Sequence, residues 1–199
     1  MIVISDGDLM SNMVSKGTPF PTGYDRYNQR TFANKKFLLN CIDYLIDENG
    51  LMFTPDLPFD SSHRHFSHLM AIHPLGLLDY SNGKKQQQII NKTIANLDNM
   101  GSSQYVGYSF SWLGNLKARA FDGEGAAKAL RDFATSFVLP NSFHVNGDQS
   151  GTGKSNFTYR PFTLEGNFAF AAGLQEMLIQ SHTENVKIFP AIPKDWKDV

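Results

Sequence analysis

The stretch GYSFSWLGNLKARAFDGEGAAKALRDFATSFVLP, residues 107–140, constrains the fold more than any other part of the chain. It reads as two helices joined by a tight turn at Asp122–Gly123, an αα-hairpin. Other helical signals flank it. FANKKFLLNCIDYLIDENG has apolar residues at Phe37, Leu38, Cys41, Ile42, Leu45 and Ile46, in steps of three and four, with Asn49–Gly50 as a stop. HRHFSHLMAIHPLGLL predicts a helix that stops before Pro74. SNGKKQQQIINKTIANLDNMG predicts another, with Ile89, Ile90, Ile94 and Leu97 on one side and Gly101 as its stop. LEGNFAFAAGLQEMLIQSH predicts a final helix, apolar over most of its circumference and therefore deeply buried. About six helices and almost no strand place the chain in the all-α class, as a bundle, a solenoid or an α/α toroid. The absence of a fixed-period repeat weakens the solenoid. Residues 1–32 mix Pro, Gly and polar residues and stand apart as an unassigned segment, 51–62 read as extended loop, and 140–163 as a long polar loop.

Composition narrows the function. With 18 Lys and Arg against 19 Asp and Glu, the net charge is −1, and no basic stripe offers a nucleic-acid or anionic-membrane surface. No apolar run approaches the roughly 20 residues that cross a bilayer. The start, MIVISDGDLM, meets an acid at Asp6 before an apolar leader of useful length has formed. A single cysteine, Cys41, allows neither an internal disulfide nor a cysteine metal cluster.

SGTGKS, residues 150–155, invites a phosphate-loop reading. The pattern G-x-x-x-x-G-K-[ST] would need glycine at position 148, which holds Asp148. An acid there would set a negative charge beside the phosphates. Upstream, LPNSFHVN is a poor strand, and downstream, NFTYRPF has no helical period, so the site also lacks its setting. The stretch reads instead as a flexible Gly/Ser/Thr loop.

SHRHFSHLMAIHP gathers His63, His65, His68 and His73, four of the six histidines in the chain. Three histidines can hold zinc. On a helix, however, His63 and His65 would lie about 200° apart, and no H-E-x-x-H pattern appears. Arg64 and its flanking imidazoles are a dense donor set suited to sugar hydroxyls, and equally suited to satisfying buried carbonyls.

Taken together, SHRHFSHLMAIHPLG, GYSFSWLGNLKARAFDGEGA, LPNSFHVNGD, FTLEGNFAFAAGLQEMLIQSH and IFPAIPKDW resemble, in order and spacing, the family 95 glycoside hydrolases, which are α-L-fucosidases with some α-L-galactosidases. The resemblance runs from about residue 51 to the end. It implies a partial (α/α)6 toroid of helical hairpins over residues 33–199, the C-terminal half of a catalytic domain, with a glycan substrate at one end of the ring. It also implies an inverting mechanism that needs no cofactor and no metal. Arg64 and His65 would touch the terminal sugar, with His63, Trp112 and Asn167 as further substrate-binding candidates. Glu165, just before the glycine of the GNF motif, would help to activate water together with upstream asparagines. The family points to a periplasmic or extracellular setting.

Two departures stand out. The family usually has Asp where this chain has Glu165, and a shift of about 1 Å can cost a hundredfold in rate. The family's general acid is a glutamate well upstream of HRH, with no counterpart here. An inverting pair needs two carboxyls about 6.5–9.5 Å apart. Among Asp56, Asp60, Asp148 and Glu176, none is a convincing acid; Glu176 would lie about 16 Å along the helix from Glu165. The expectation is a chain inactive alone, with helix faces open to association. A carbohydrate-binding remnant without turnover is the alternative, and a zinc-dependent hydrolase a weaker one.

Overall fold

The computed structural model describes residues 60–196, with short pieces at 14–15, 18–20, 24–25, 29–31, 46–47 and 50–51. Four α-helices dominate: α1 (Lys84–Met100), α2 (Gly107–Arg119), α3 (Gly123–Ser136) and α4 (Glu165–Leu178). Among the described residues, eight two-residue strands pair as antiparallel ribbons. β1 (Val14–Ser15) pairs with β2 (Thr18–Pro19), and β3 (Tyr24–Asp25) with β4 (Arg30–Thr31). β5 (Ile46–Asp47) pairs with β6 (Gly50–Leu51), and β7 (Ile179–Gln180) with β8 (Lys187–Ile188).

The hairpin read from the sequence is present. Asp122 caps α3, its Oδ1 accepting from Gly125 N at 2.8 Å. α2 and α3 run antiparallel and close together, since a Cβ on Gly114 would meet Leu130 Cδ2 at 2.6 Å. α2 and α4 run parallel: Ser111 bonds Gly166, Asn115 bonds Ala169, and Arg119 pairs with Glu176 in step along both axes. The N-termini of α2 and α4 therefore sit at one end of the molecule. These helical hairpins form part of a helical toroid. Among the described residues no helix is long and apolar enough to cross a membrane.

One core joins the segment before α1 to α1, α2 and α3, through fully buried Phe66, Leu69, Ile72, Ile90, Leu116, Phe133 and Phe137. A smaller one gathers Ala118, Ala126, Leu130, Met177 and Ala191. Ile89, Ile90, Ile94 and Leu97 face inward from α1, and Gly101 ends it at φ +71°.

Three expectations are corrected. HRHFSHLMAIHP is not an α-helix; only Ser67–Ala71 turn, as a 3-10 helix. Side chains there compete for the backbone: Ser62 Oγ donates to Gly101 O, and His63 Nδ1 accepts from His65 N. Second, the helix expected over 33–49 does not reach its stop, because Ile46–Asp47 lie in the β5–β6 ribbon, where Gly50 takes φ +101° and Leu51 N donates to Thr93 Oγ1 on α1. The rest of that helix, and Asp56, lie outside the described residues. Third, α4 is not deeply buried: within it only Gly166, Gly173 and Met177 are enclosed. α2 and α3 cover one side, while Leu164, Phe168, Leu178 and Ile179 form an exposed stripe on the other.

Candidate active site

Arg64 and Glu165 are 101 positions apart in sequence, and α2 links their surroundings. Ser109 Oγ donates to Arg64 O at 3.0 Å, and Ser111 Oγ donates to Gly166 O at 3.1 Å. Ser109 Oγ also accepts from Val106 N at 3.3 Å, one arm of a capping arrangement at the start of α2. Asn115 Nδ2 donates to Ser111 O and to Ala169 O, both at 2.9 Å, which fixes the register of α4 against α2. Two hydroxyls within one turn of α2, about 200° apart around its axis, thus hold the loop carrying Arg64 and the helix start carrying Glu165.

Tyr108, beside Ser109 on α2, is half-buried, its ring edge-on to Trp112 with centroids 6.1 Å apart. Burial, and then the Glu165 charge, push its phenol above the ordinary value. Glu165 is exposed at the first position of α4, where the helix dipole favours a carboxylate. Arg64 is exposed, its guanidinium carbon 6.0 Å from the centroid of the Phe157 ring.

The histidines divide by role. His63 folds back so that its Nδ1 accepts from His65 N at 3.1 Å, and the two rings meet edge to face at 5.3 Å. A non-helical backbone brings them together, where a helix would have held them apart. Some burial, then the Arg64 charge and His63, lower the pKa of exposed His65. A neutral imidazole both donates and accepts, which suits a hydroxyl partner. Burial takes His68 down to about 4. Burial and the Arg119 charge take His73 to about 4 as well. Among the described residues no three His, Cys, Asp or Glu side chains gather in a way that would hold a metal ion.

Two residues of the GNF motif, Gly166 and Asn167, have structural parts. Gly166 must lack a side chain, because a Cβ would lie 2.6 Å from Cγ and Cε1 of His144. Gly107 faces the same imidazole from α2, where a Cβ would lie 2.6 Å from its Cδ2. His144 is fully buried, with Nδ1 2.6 Å from Thr163 O and the ring 5.2 Å from that of Phe133. A carbonyl partner assigns the proton to Nδ1. Burial lowers the pKa of His144, against the raising effects of the Thr163 bond and the Glu165 charge. Asn167 does not cap α4. Its Oδ1 accepts from His144 N at 3.0 Å and its Nδ2 donates to Ser142 O at 2.9 Å, so it grips the 142–144 loop.

Trp112 is half-buried, stacked on Phe66 at 4.9 Å, and donates through Nε1 to His73 O at 3.1 Å. Of the acids weighed as partners to Glu165, Glu176 is held by Arg119 through two bonds of 2.6 and 2.8 Å. Asp148 is consumed by its own loop, accepting from Ser150 N at 2.8 Å, Ser150 Oγ at 2.6 Å and Lys154 N at 2.8 Å. Burial opposes its ionisation, and these bonds outweigh burial and lower its pKa. The loop amides are therefore turned toward Asp148, and Lys154 Nζ pairs with Asp132 at 2.8 Å, which leaves no phosphate cradle and makes 148–155 a tied loop instead of a flexible one. Asp60 is exposed at the edge of the described residues.

Sequence reasoning passed over Tyr108, Ser109, Ser111 and His144. A signal was available: Ser109, Ser111 and Asn115 are polar residues inside an otherwise apolar helix pattern, and buried polar side chains are there to bond something.

Comparison with known proteins adds the family. Over 134 residues the chain is 29% identical to alpha-L-fucosidase 2 of Arabidopsis thaliana, a match that covers 67% of this chain and 15% of that protein. The chain thus spans only a small part of the length of that relative. The glycosyl hydrolase family 95 catalytic domain matches residues 55–178, which takes in HRH, the α2–α3 hairpin and the Glu165–Gly166–Asn167 junction. By that match over more than half its length, the chain belongs to glycoside hydrolase family 95.

Proposed function

We propose that this chain carries the water-activating side of a glycosidase site that hydrolyses a terminal α-L-fucosyl, or the closely related α-L-galactosyl, residue with inversion. The observation that supports the reading is the pair of serine bonds from the start of α2, one to the Arg64 loop and one to the helix start that carries Glu165. Arg64 and neutral His65 hold ring hydroxyls, and His63 positions His65. Glu165 accepts a proton from a water as its oxygen attacks the anomeric carbon. The bond from that carbon to the leaving oxygen breaks, and the leaving oxygen takes a proton from a general acid.

Of the described acids weighed for that last part, Glu176 and Asp148 are already bonded. We place the acid outside residues 60–196, so that segment by itself grips a sugar without turning it over. The relative's name, alpha-L-fucosidase 2, supports the choice of sugar.

The test uses the full-length gene product with 4-nitrophenyl α-L-fucoside and α-L-galactoside. One of them should be cleaved with β-sugar as the first-formed anomer by NMR. Glu165→Gln should lower kcat by about 10²–10⁴, the range of a positioned general base. Cleavage with retention, or a Glu165→Gln enzyme within tenfold of wild type, would overturn the reading.

A further inference from the structure

The loop that follows His144 returns on itself as an arm beside the start of α2. Asn146 N donates to Pro161 O at 3.2 Å, Gly147 N to Tyr159 O at 2.9 Å, and Asp148 N to Phe157 O at 2.8 Å. Its bend is anchored to the residues that lead into α2. Ser102 Oγ donates to Lys154 O at 2.7 Å, Ser155 Oγ to Tyr105 O at 2.6 Å, and Asn156 N to Ser103 O at 2.8 Å. Arg160 Nε donates across the two limbs to Gln149 Oε1 at 2.5 Å. Phe157, on the returning limb, lies against Arg64, its ring centroid 6.0 Å from the guanidinium carbon. Tyr159 meets Phe157 edge to face with centroids 5.4 Å apart, and is 43% exposed. Hydrogen bonds thus fix the arm, while the Tyr159 ring is left open to water. Arg64, Phe157 and Tyr159 form one continuous stretch of surface.

An enzyme that removes a terminal residue holds one sugar in its pocket, and the rest of the substrate lies on the leaving-group side. A pyranose presents C–H bonds on its face and hydroxyls at its edges. The negative face of an aromatic ring suits the first. The Gln149 amide and Arg160 guanidinium, joined on the same arm, suit the second. We infer that Tyr159, backed by Phe157, is the binding platform for the saccharide from which the terminal residue is cut, and that it sets which glycans the enzyme accepts. With Arg64 on the terminal sugar, the next ring out meets the surface that continues through Phe157 to Tyr159. The inference rests on the proposed reading that Arg64 grips the terminal sugar, and it does not depend on the role of Glu165.

The experiment compares two substrates of the full-length gene product: fucosyllactose, whose leaving group is a disaccharide, and α-L-fucosyl fluoride, which has no sugar on that side. The galactosyl equivalents replace them if those are the ones cleaved. Tyr159→Ala should lower kcat/KM for the fucosyllactose about tenfold, chiefly through KM, and leave the fluoride unchanged. Tyr159→Trp should restore the fucosyllactose rate. Phe189→Ala removes an equally exposed ring beside Leu178, at the other end of α4 from Glu165, and should alter neither substrate. The inference is overturned if Tyr159→Ala stays within about twofold of wild type on fucosyllactose, or if both substrates fall alike. A wild-type enzyme that cleaves no fucoside or galactoside would overturn the proposed function and this inference with it. Normal fluoride hydrolysis by Glu165→Gln would overturn only the role of Glu165, since the Tyr159 effect is read from the ratio of the two substrates.

Discussion

Replacing Gly166 with alanine tests how the Glu165 helix start is built. The new Cβ would lie 2.6 Å from Cγ and Cε1 of His144, well inside van der Waals contact. The imidazole has no free direction, because it is fully buried, bonded to Thr163 O, packed on Phe133, and backed by Gly107 on its other side. Overpacking of this kind costs about 1–3 kcal/mol. Loss of the Thr163 bond adds ~1 kcal/mol. The sum, about 2–4 kcal/mol, corresponds to a fall in Tm of roughly 5–15 °C for a chain of this length. Circular dichroism melts of wild type, Gly166→Ala, His144→Ala and the double variant measure it. His144→Ala alone also destabilises, through lost packing, but it clears the space that the added methyl group needs. The double variant should therefore be more stable than the two single losses predict, by ~1 kcal/mol or more. A Gly166→Ala protein within about 0.5 kcal/mol of wild type, or strict additivity of the two changes, would refute the account of why glycine follows Glu165.

Stability should fall with acid between pH 6.5 and pH 4. His68 and His73 titrate near 4 when folded against an ordinary 6.5, so the unfolded chain binds protons first and stability is lost as pH drops through that window. The slope should reach up to about 1.4 kcal/mol per pH unit for each histidine, read from urea midpoints, and a flat profile would contradict the burial described. Arg119→Met should cost about 3–5 kcal/mol by leaving the Glu176 carboxylate unpaired in a half-buried setting, and Arg119→Met with Glu176→Leu should recover much of the loss. Those changes sit at the far end of α2 from Tyr108, so sugar binding should survive in protein that remains folded.

The helical hairpin was legible because local signals and tertiary packing agree there: apolar spacing, the Asp122 cap and the close approach at Gly114 ask for one conformation. The HRH segment was not, because its periodicity suggests a helix while Ser62 and His63 commit their side chains to backbone groups, one of them 39 residues away. α4 was read as helical from its apolar run, but an apolar run says nothing about which neighbours are present to cover it. Arg64, His65 and Glu165 stood out by residue type. What ties the Arg64 loop and the Glu165 helix start to α2 did not, since Ser109 and Ser111 look like ordinary helix residues until their partners 45 and 55 positions away are known.

The measurement closest to the central claim is a crystal structure of the full-length enzyme, carrying Glu165→Gln, with L-fucose or a non-hydrolysed fucoside bound. The account predicts one pyranose that touches Arg64 and His65 with its hydroxyls, while the residue at 165 faces its anomeric carbon across a water. A sugar held by Arg64 alone, with position 165 turned to another cavity, would contradict it.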